Sequence, residues 1–191
     1  MTDQMRQRIV DTALRYAAHP WTARPEHMCH TQEINTPDAA HGGWWQIGLN
    51  TGMPYCWGGA STVEAFDAAL ASGHYAGNVP LSKPAPIRSE CAGVDCSGLL
   101  CICWELPRRI STREIPAVAD QLASAEQLLP GDILAKPGSH VMLFIAFANA
   151  DRTIVRIVDA TRSTGRVAVR EVSLAELLAS GYLPFSKRME A

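Results

Sequence analysis

The sequence predicts an α+β fold in which helices come first and an antiparallel sheet follows. Three observations predict it. Apolar residues recur at helical spacing near the N-terminus, a helix start and stop are spelled out over 61–73, and after residue 131 the pattern turns to short apolar and β-branched runs.

Residues 3–18 carry Met5, Ile9, Ala13 and Tyr16 or Ala17 on one helical stripe, with Leu14 beside them. Thr2 or Asp3 can cap this helix, and His19-Pro20 ends it. A stretch rich in Gly, Pro and polar residues then runs from about 20 to 60, and so long an irregular segment tends to be functional. "STVEAFDAALASG" predicts a second helix with Ser61 reaching Glu64 in a capping box and a stop at Gly73. "NVPLSKPAPIRSECAG" is a proline-rich connector.

Asp95 to Glu105 is apolar nearly all round and predicts a buried helix ended by Pro107, with a further helical run over 116–124. "DILAK" (132–136), "HVMLFIAF" (140–147), "TIVRIVDA" (153–160) and "RVAVREV" (166–172) predict strands. Their short connections predict a meandering antiparallel sheet. "SLAELLASG" is a short helix and "YLPFSKR" a last strand. The 191 residues suit a single domain with sizeable insertions.

A chain that is 47% hydrophobic and 19% charged can build an ordinary core. A net charge of −2 offers no electrostatic footprint for nucleic acid or an anionic membrane. No apolar run approaches the roughly 20 residues of a membrane span. The first residues mix charge throughout and lack a secretory core, so the default expectation is a cytoplasmic protein.

Six cysteines are too sparse for a disulfide scaffold. They contain no C-x-x-C pair, and "HMCH" (His27, Cys29, His30) has no matching second half, so no metal site is expected. Cys96, Cys101 and Cys103 crowd into "VDCSGLLCICWEL". Cys101 and Cys103 fall inside an apolar helix and suit core packing. Cys96 falls on its first turn, where unpaired N–H groups and the helix dipole favour an anion. That effect is worth only about 0.3–1 kcal/mol, so a nucleophilic Cys96 needs an adjacent base.

Of six histidines only His140 opens a strongly apolar strand, one whose two hydrophobic faces predict a central place in the sheet. His140 is either that base or an inert turn residue after "KPGS". In the next strand Val155, Ile157 and Asp159 share a face, and exposed character at Arg156 marks the other. Asp159 either accepts an imidazole N–H or hydrogen-bonds the turn "DATRSTG".

"VDCSGLL", "LLPGDILAKPGSHVMLFIAF" and "IVDAT" resemble, in order and spacing, the NlpC-type family of cell-wall cysteine peptidases. "MPYCWGG" at 53–59 resembles the element that precedes the nucleophile there, and "VDTALRYA" and "GYLPF" agree with it. The resemblance implies a papain-like fold with a nucleophile-bearing helix packed on an antiparallel sheet. By position it implies Cys96 as nucleophile, His140 as base, Asp159 as the third polar group and Tyr55 near the thiol and oxyanion. Trp57, Asp95, Ser97 and Ser139 are the expected substrate contacts beside them. Trp44, Trp45 and Trp57 either wall the cleft or pack a loop. The implied reaction is amide hydrolysis in a peptidoglycan stem peptide, between D-glutamate and a diamino acid, with no cofactor.

Two departures accompany the resemblance. Insertions at about 20–52 and 60–90 reshape the approach to the site, and the secretion signal and wall-binding repeats usual in such enzymes are missing from the sequence. The protein is then expected to act on wall fragments inside the cell or to leave by a signal-independent route. The same residues would also serve acyl transfer or deamidation, and a catalytically inactive binding module is the remaining alternative.

Overall fold

A computed structural model describes residues 1–82 and 85–189; Lys83 and Pro84 of the proline-rich connector lie outside the described residues. The first half of the chain forms α1 (Asp3–Ala18), β1 (Pro20–Ala23), β2 (Gly48–Thr51), α2 (Val63–Ala71), β3 (Tyr75–Ala76), β4 (Cys91–Ala92) and α3 (Cys96–Cys103). The second half forms α4 (Ile115–Val118), β5 (Ala119–Gln121), β6 (Ile133–Lys136), β7 (His140–Phe147), β8 (Ile154–Thr161), β9 (Arg166–Ser173), α5 (Leu174–Ala179) and β10 (Leu183–Lys187). The protein is mixed α and β with an antiparallel sheet. Among the described residues no helix is long and apolar enough to cross a membrane.

The chain divides into two compact units. The sheet unit comprises residues 1–14, 100–159 and 169 onward; the second unit comprises 15–99 and 160–168.

In the sheet unit the strand order is β5-β10-β6-β7-β8-β9. From β6 to β9 this is the expected meander, and β7 lies inside the sheet as its two apolar faces require. The last strand departs from a simple meander: β10 inserts between β5 and β6, and Phe185 pairs with both Gln121 and Ile133. Leu134, Met142, Phe144, Val155 and Ile157 from three strands bury one face of the sheet against Leu128 and Leu177. His140 shares its alternation with Met142 and Phe144, and Asp159 with Val155 and Ile157, so both belong to this face.

A buried carboxylate ties α1 to the sheet. Asp132 accepts from Arg6 at 2.8 Å and from Ser186 of β10 at 2.8 Å, and its second oxygen accepts the Leu129 N–H at 2.9 Å. Trp104, just past α3, donates its indole N–H to Gly131 at 2.9 Å. α3 itself stops before Pro107: Glu105 adopts a φ of 50°, and the Leu106 and Glu105 N–H groups return to Cys101 and Ile102. That pairing is a Schellman ending, so the expected proline stop is pre-empted by a left-handed residue.

The second unit shows that residues 20–60 are less irregular than their composition predicts. β1 and β2 pair antiparallel, Trp21 to Asn50 among them, and Trp21 packs edge-on against Trp45 and Phe66. Trp45 is fully buried, which makes it packing rather than a cleft wall. Two other expectations are corrected. The cap of α2 is Thr62, whose hydroxyl accepts from Ala65 N–H at 3.1 Å, while Ser61 turns away to accept from Gly93 N–H at 3.2 Å. The helix expected over 116–124 is a single turn, α4, followed directly by β5, because pairing with β10 satisfies the backbone there.

Thr62→Ala therefore lowers stability by about 1 kcal/mol in urea melts through loss of the α2 cap. Glu64→Ala, the other half of the rejected capping box, leaves the urea midpoint close to that of wild type.

Candidate active site

The two sequence elements that resemble a nucleophile site interlock within the second unit. Val94 accepts from Cys56 N–H at 2.9 Å, and the Asp95 N–H donates to Gly59 at 3.0 Å. A Cβ on Gly98 would sit 2.0 Å from the Gly59 carbonyl oxygen, so only glycine lets the two segments approach this closely. Asp95 is buried at the start of α3. One carboxylate oxygen accepts from Gly98 N–H at 2.7 Å and Ser97 hydroxyl at 3.0 Å, and the other from Gly58 N–H at 3.0 Å. Asp95 is thus an N-cap that also grips the Trp-Gly-Gly turn.

Cys96 follows as the first residue of α3 and is half-buried. Ser97 is buried behind it with its hydroxyl on Asp95. Cys101 and Cys103 are buried, Cys101 sulfur accepts from Ile110 N–H at 3.3 Å, and burial pushes the Cys103 thiol up. These two are core, as expected. Tyr55 is buried within the unit; burial first, and then the neighbouring Asp95 and Cys96, push its phenol up, so it stays a neutral hydroxyl. Trp57 is part-buried and donates to the Ala85 carbonyl at 3.0 Å, and Trp44 donates to Gly165 at 2.7 Å.

His140 and Asp159 meet in the sheet unit. His140 Nε2 donates to Asp159 at 2.7 Å. An acceptor-only carboxylate fixes the proton on Nε2, which leaves the basic lone pair of the neutral ring on Nδ1. Tyr182 packs its ring edgewise against the imidazole at 6.3 Å. Ser139 lies exposed in the preceding turn, its N–H on Lys136.

Sequence reasoning missed Arg170. Its guanidinium straddles Asp159, with Nε at 3.0 Å from one oxygen and a terminal nitrogen at 2.5 Å from the other. Burial alone pushes the Asp159 carboxyl up; hydrogen bonds from His140 and Arg170 outweigh it and hold the group below the usual carboxylate value. The signal was one of two arginines in the strand after Asp159, Arg166 and Arg170, and without a register neither could be matched to it. A scan against models of protein families finds no match to this chain, and a search of curated proteins finds none either.

Two predictions come from this geometry. Gly98→Ala drives a methyl into the Gly59 carbonyl and costs at least about 1–3 kcal/mol in denaturant melts, more than an alanine elsewhere on α3 would. Because the Asp159 carboxyl is lower folded than unfolded, its contribution is complete above about pH 4 and is lost as pH falls through the folded value. The stability advantage of wild type over Asp159→Asn in urea therefore narrows as pH drops below about 4. An advantage independent of pH contradicts the linkage.

Proposed function

We propose that this chain is a cysteine peptidase or amidase of papain-like fold, hydrolysing an amide bond in peptidoglycan stem peptides or related wall-derived peptides. The observation that carries the proposal is the 2.7 Å hydrogen bond from His140 to Asp159. A turn histidine with no task needs no buried carboxylate clamped by an arginine. A general base needs just such an orienting group to hold its tautomer and to stabilise its cation. Cys96 on the first turn of a helix, with the Tyr55 hydroxyl buried in the same neighbourhood, supports it further. The wall peptide as substrate rests on the resemblance of the motifs.

In the proposed reaction the Cys96 thiol passes its proton to His140 Nδ1 and the sulfur attacks the carbonyl carbon. Peptide N–H groups at the start of α3 and the Tyr55 hydroxyl hold the oxyanion. The imidazolium then protonates the leaving amine, and a thioester remains. Water gives a proton to the same imidazole and attacks the thioester, releasing the acid and restoring the thiol. Asp159 steadies the imidazolium without taking its proton. The neutral, buried Tyr55 suits a donor role because its proton is not lost near neutral pH.

The test is incubation with purified wall peptides followed by mass spectrometry. Cys96→Ala abolishes product, His140→Ala and Asp159→Asn lower kcat/KM by about 1,000-fold or more, and Tyr55→Phe by about 100-fold. At about pH 6.5, iodoacetamide alkylates Cys96 at least about ten-fold faster in wild type than in His140→Ala. Product from Cys96→Ala sinks the proposal. Fast alkylation without cleavage of any wall peptide keeps the chemistry and removes the substrate class.

A further inference from the structure

The motif "HMCH" has a second half that spacing alone hides. His27 is spent: its Nδ1 accepts from Arg24 N–H at 3.1 Å and its Nε2 reaches the Leu70 carbonyl at 3.2 Å. Cys29 lies against Tyr75. His30 instead joins two residues further along the same loop, Asp38 and His41, and the three ligand atoms lie within 4.8 Å of one another.

The hydrogen bonds around His30 leave a place for a cation. Asn35 donates its amide N–H to Val79 at 3.1 Å, which turns its carbonyl oxygen toward His30 Nδ1 at 3.0 Å. Nδ1 must therefore carry the ring proton. Nε2 of the neutral ring then points its lone pair at the Asp38 carboxylate, 2.6 Å away. Two acceptors at that distance need a positive charge between them, either a proton or a metal ion. His41 Nδ1 approaches the other Asp38 oxygen at 3.2 Å, and its ring stacks on His30 with centroids 3.4 Å apart. One divalent ion placed among these atoms would be shared by both imidazoles and the carboxylate.

The loop is built to hold this arrangement. Asp38 is buried, and Thr36 donates its hydroxyl to it at 2.7 Å. The turn after it is pinned by Gly43 N–H on Asp38 at 2.8 Å and Trp44 N–H on Pro37 at 2.8 Å. A Cβ on Gly43 would strike the Pro37 backbone at 2.1 Å, so the turn that returns His41 beside Asp38 requires glycine there. A hollow of about 210 Å³, lined by Asn35, Thr36, His41, Trp44 and Arg162, borders the cluster at His41.

We propose that His30, Asp38 and His41 form a binding site for one divalent transition-metal ion, zinc by preference. Two imidazoles and a carboxylate are a zinc ligand set; a tetrahedral ion keeps its ligand atoms about 3.4 Å apart, near the 3.2 Å between His41 and Asp38, and the 2.6 Å between His30 and Asp38 must open as the ion enters. Asn35 is the supporting partner that sets the His30 tautomer. The site is separate from the proposed cysteine chemistry and does not depend on it.

The test is calorimetric titration of the full chain with zinc chloride, and cobalt(II) absorption as a spectroscopic check. One ion binds per chain, Asp38→Asn and His41→Ala weaken it by at least about 100-fold, and Asn35→Ala by about 10–100-fold. His41 is half exposed, so its variant keeps the fold if Asp38→Asn does not, and far-ultraviolet dichroism verifies this. Bound cobalt gives visible bands of low coordination number without sulfur charge-transfer absorption. Absence of binding, equal binding by His41→Ala, or a thiolate charge-transfer band each overturns the proposal.

Discussion

A carboxylate withdrawn from water must collect donors or give up its charge, and that constraint organises much of this protein. Asp38, Asp95, Asp132 and Asp159 are all buried among the described residues. Each stands where separate segments must be joined. Asp132 gathers Arg6 of the first helix, Ser186 of the last strand and a turn amide. Asp95 starts α3 and holds the turn of "CWGG" against it. Asp159 fixes His140 and is itself gripped by Arg170. Asp38 joins two ends of one loop through Thr36, His30 and His41.

The energetic weight of these groups differs from that of the surface pairs. Arg15 and Glu64 form an ion pair with both side chains more than half exposed, and solvent screens such a pair to little net effect. Removing one member of a buried set strands the others and costs about 3–5 kcal/mol. The buried aspartates therefore act as alignment points more than as sources of net stability. The imidazole held by Asp159 and the helix start held by Asp95 are both fixed in place by these hydrogen bonds. Phe144 and Ile157 are buried on one sheet face, and Trp45 and Phe66 in the second unit.

Much of the fold was legible because its signals are local. The stripe from Met5 to Tyr16 and the runs "HVMLFIAF" and "TIVRIVDA" satisfy a helical or strand period over enough residues to outweigh turn propensity. Alternation and strand order made His140 and Asp159 candidates but left each an inert alternative; the resemblance supplied the pairing, and the two side chains are hydrogen-bonded in the fold. Short-range competition defeated the choice between Ser61 and Thr62, neighbours with the same capping chemistry, since Gly93 claims the first from 32 residues away. The run at 116–124 failed for a related reason: a strand partner from the far end of the chain outbid a weak helix.

What the amino-acid sequence determined by itself is the list of elements and the residue types that carry chemistry. A cysteine on the first turn of an apolar helix, a histidine opening a central strand and an acid on the inner face of the next are consequences of period and position along the chain. The tertiary structure alone decided which distant groups share a carboxylate. Arg170 on Asp159, Gly59 beneath Gly98 and the meeting of His30, Asp38 and His41 all depend on register, turn path and close approach. Those are set by packing over the whole fold, and no local pattern encodes them.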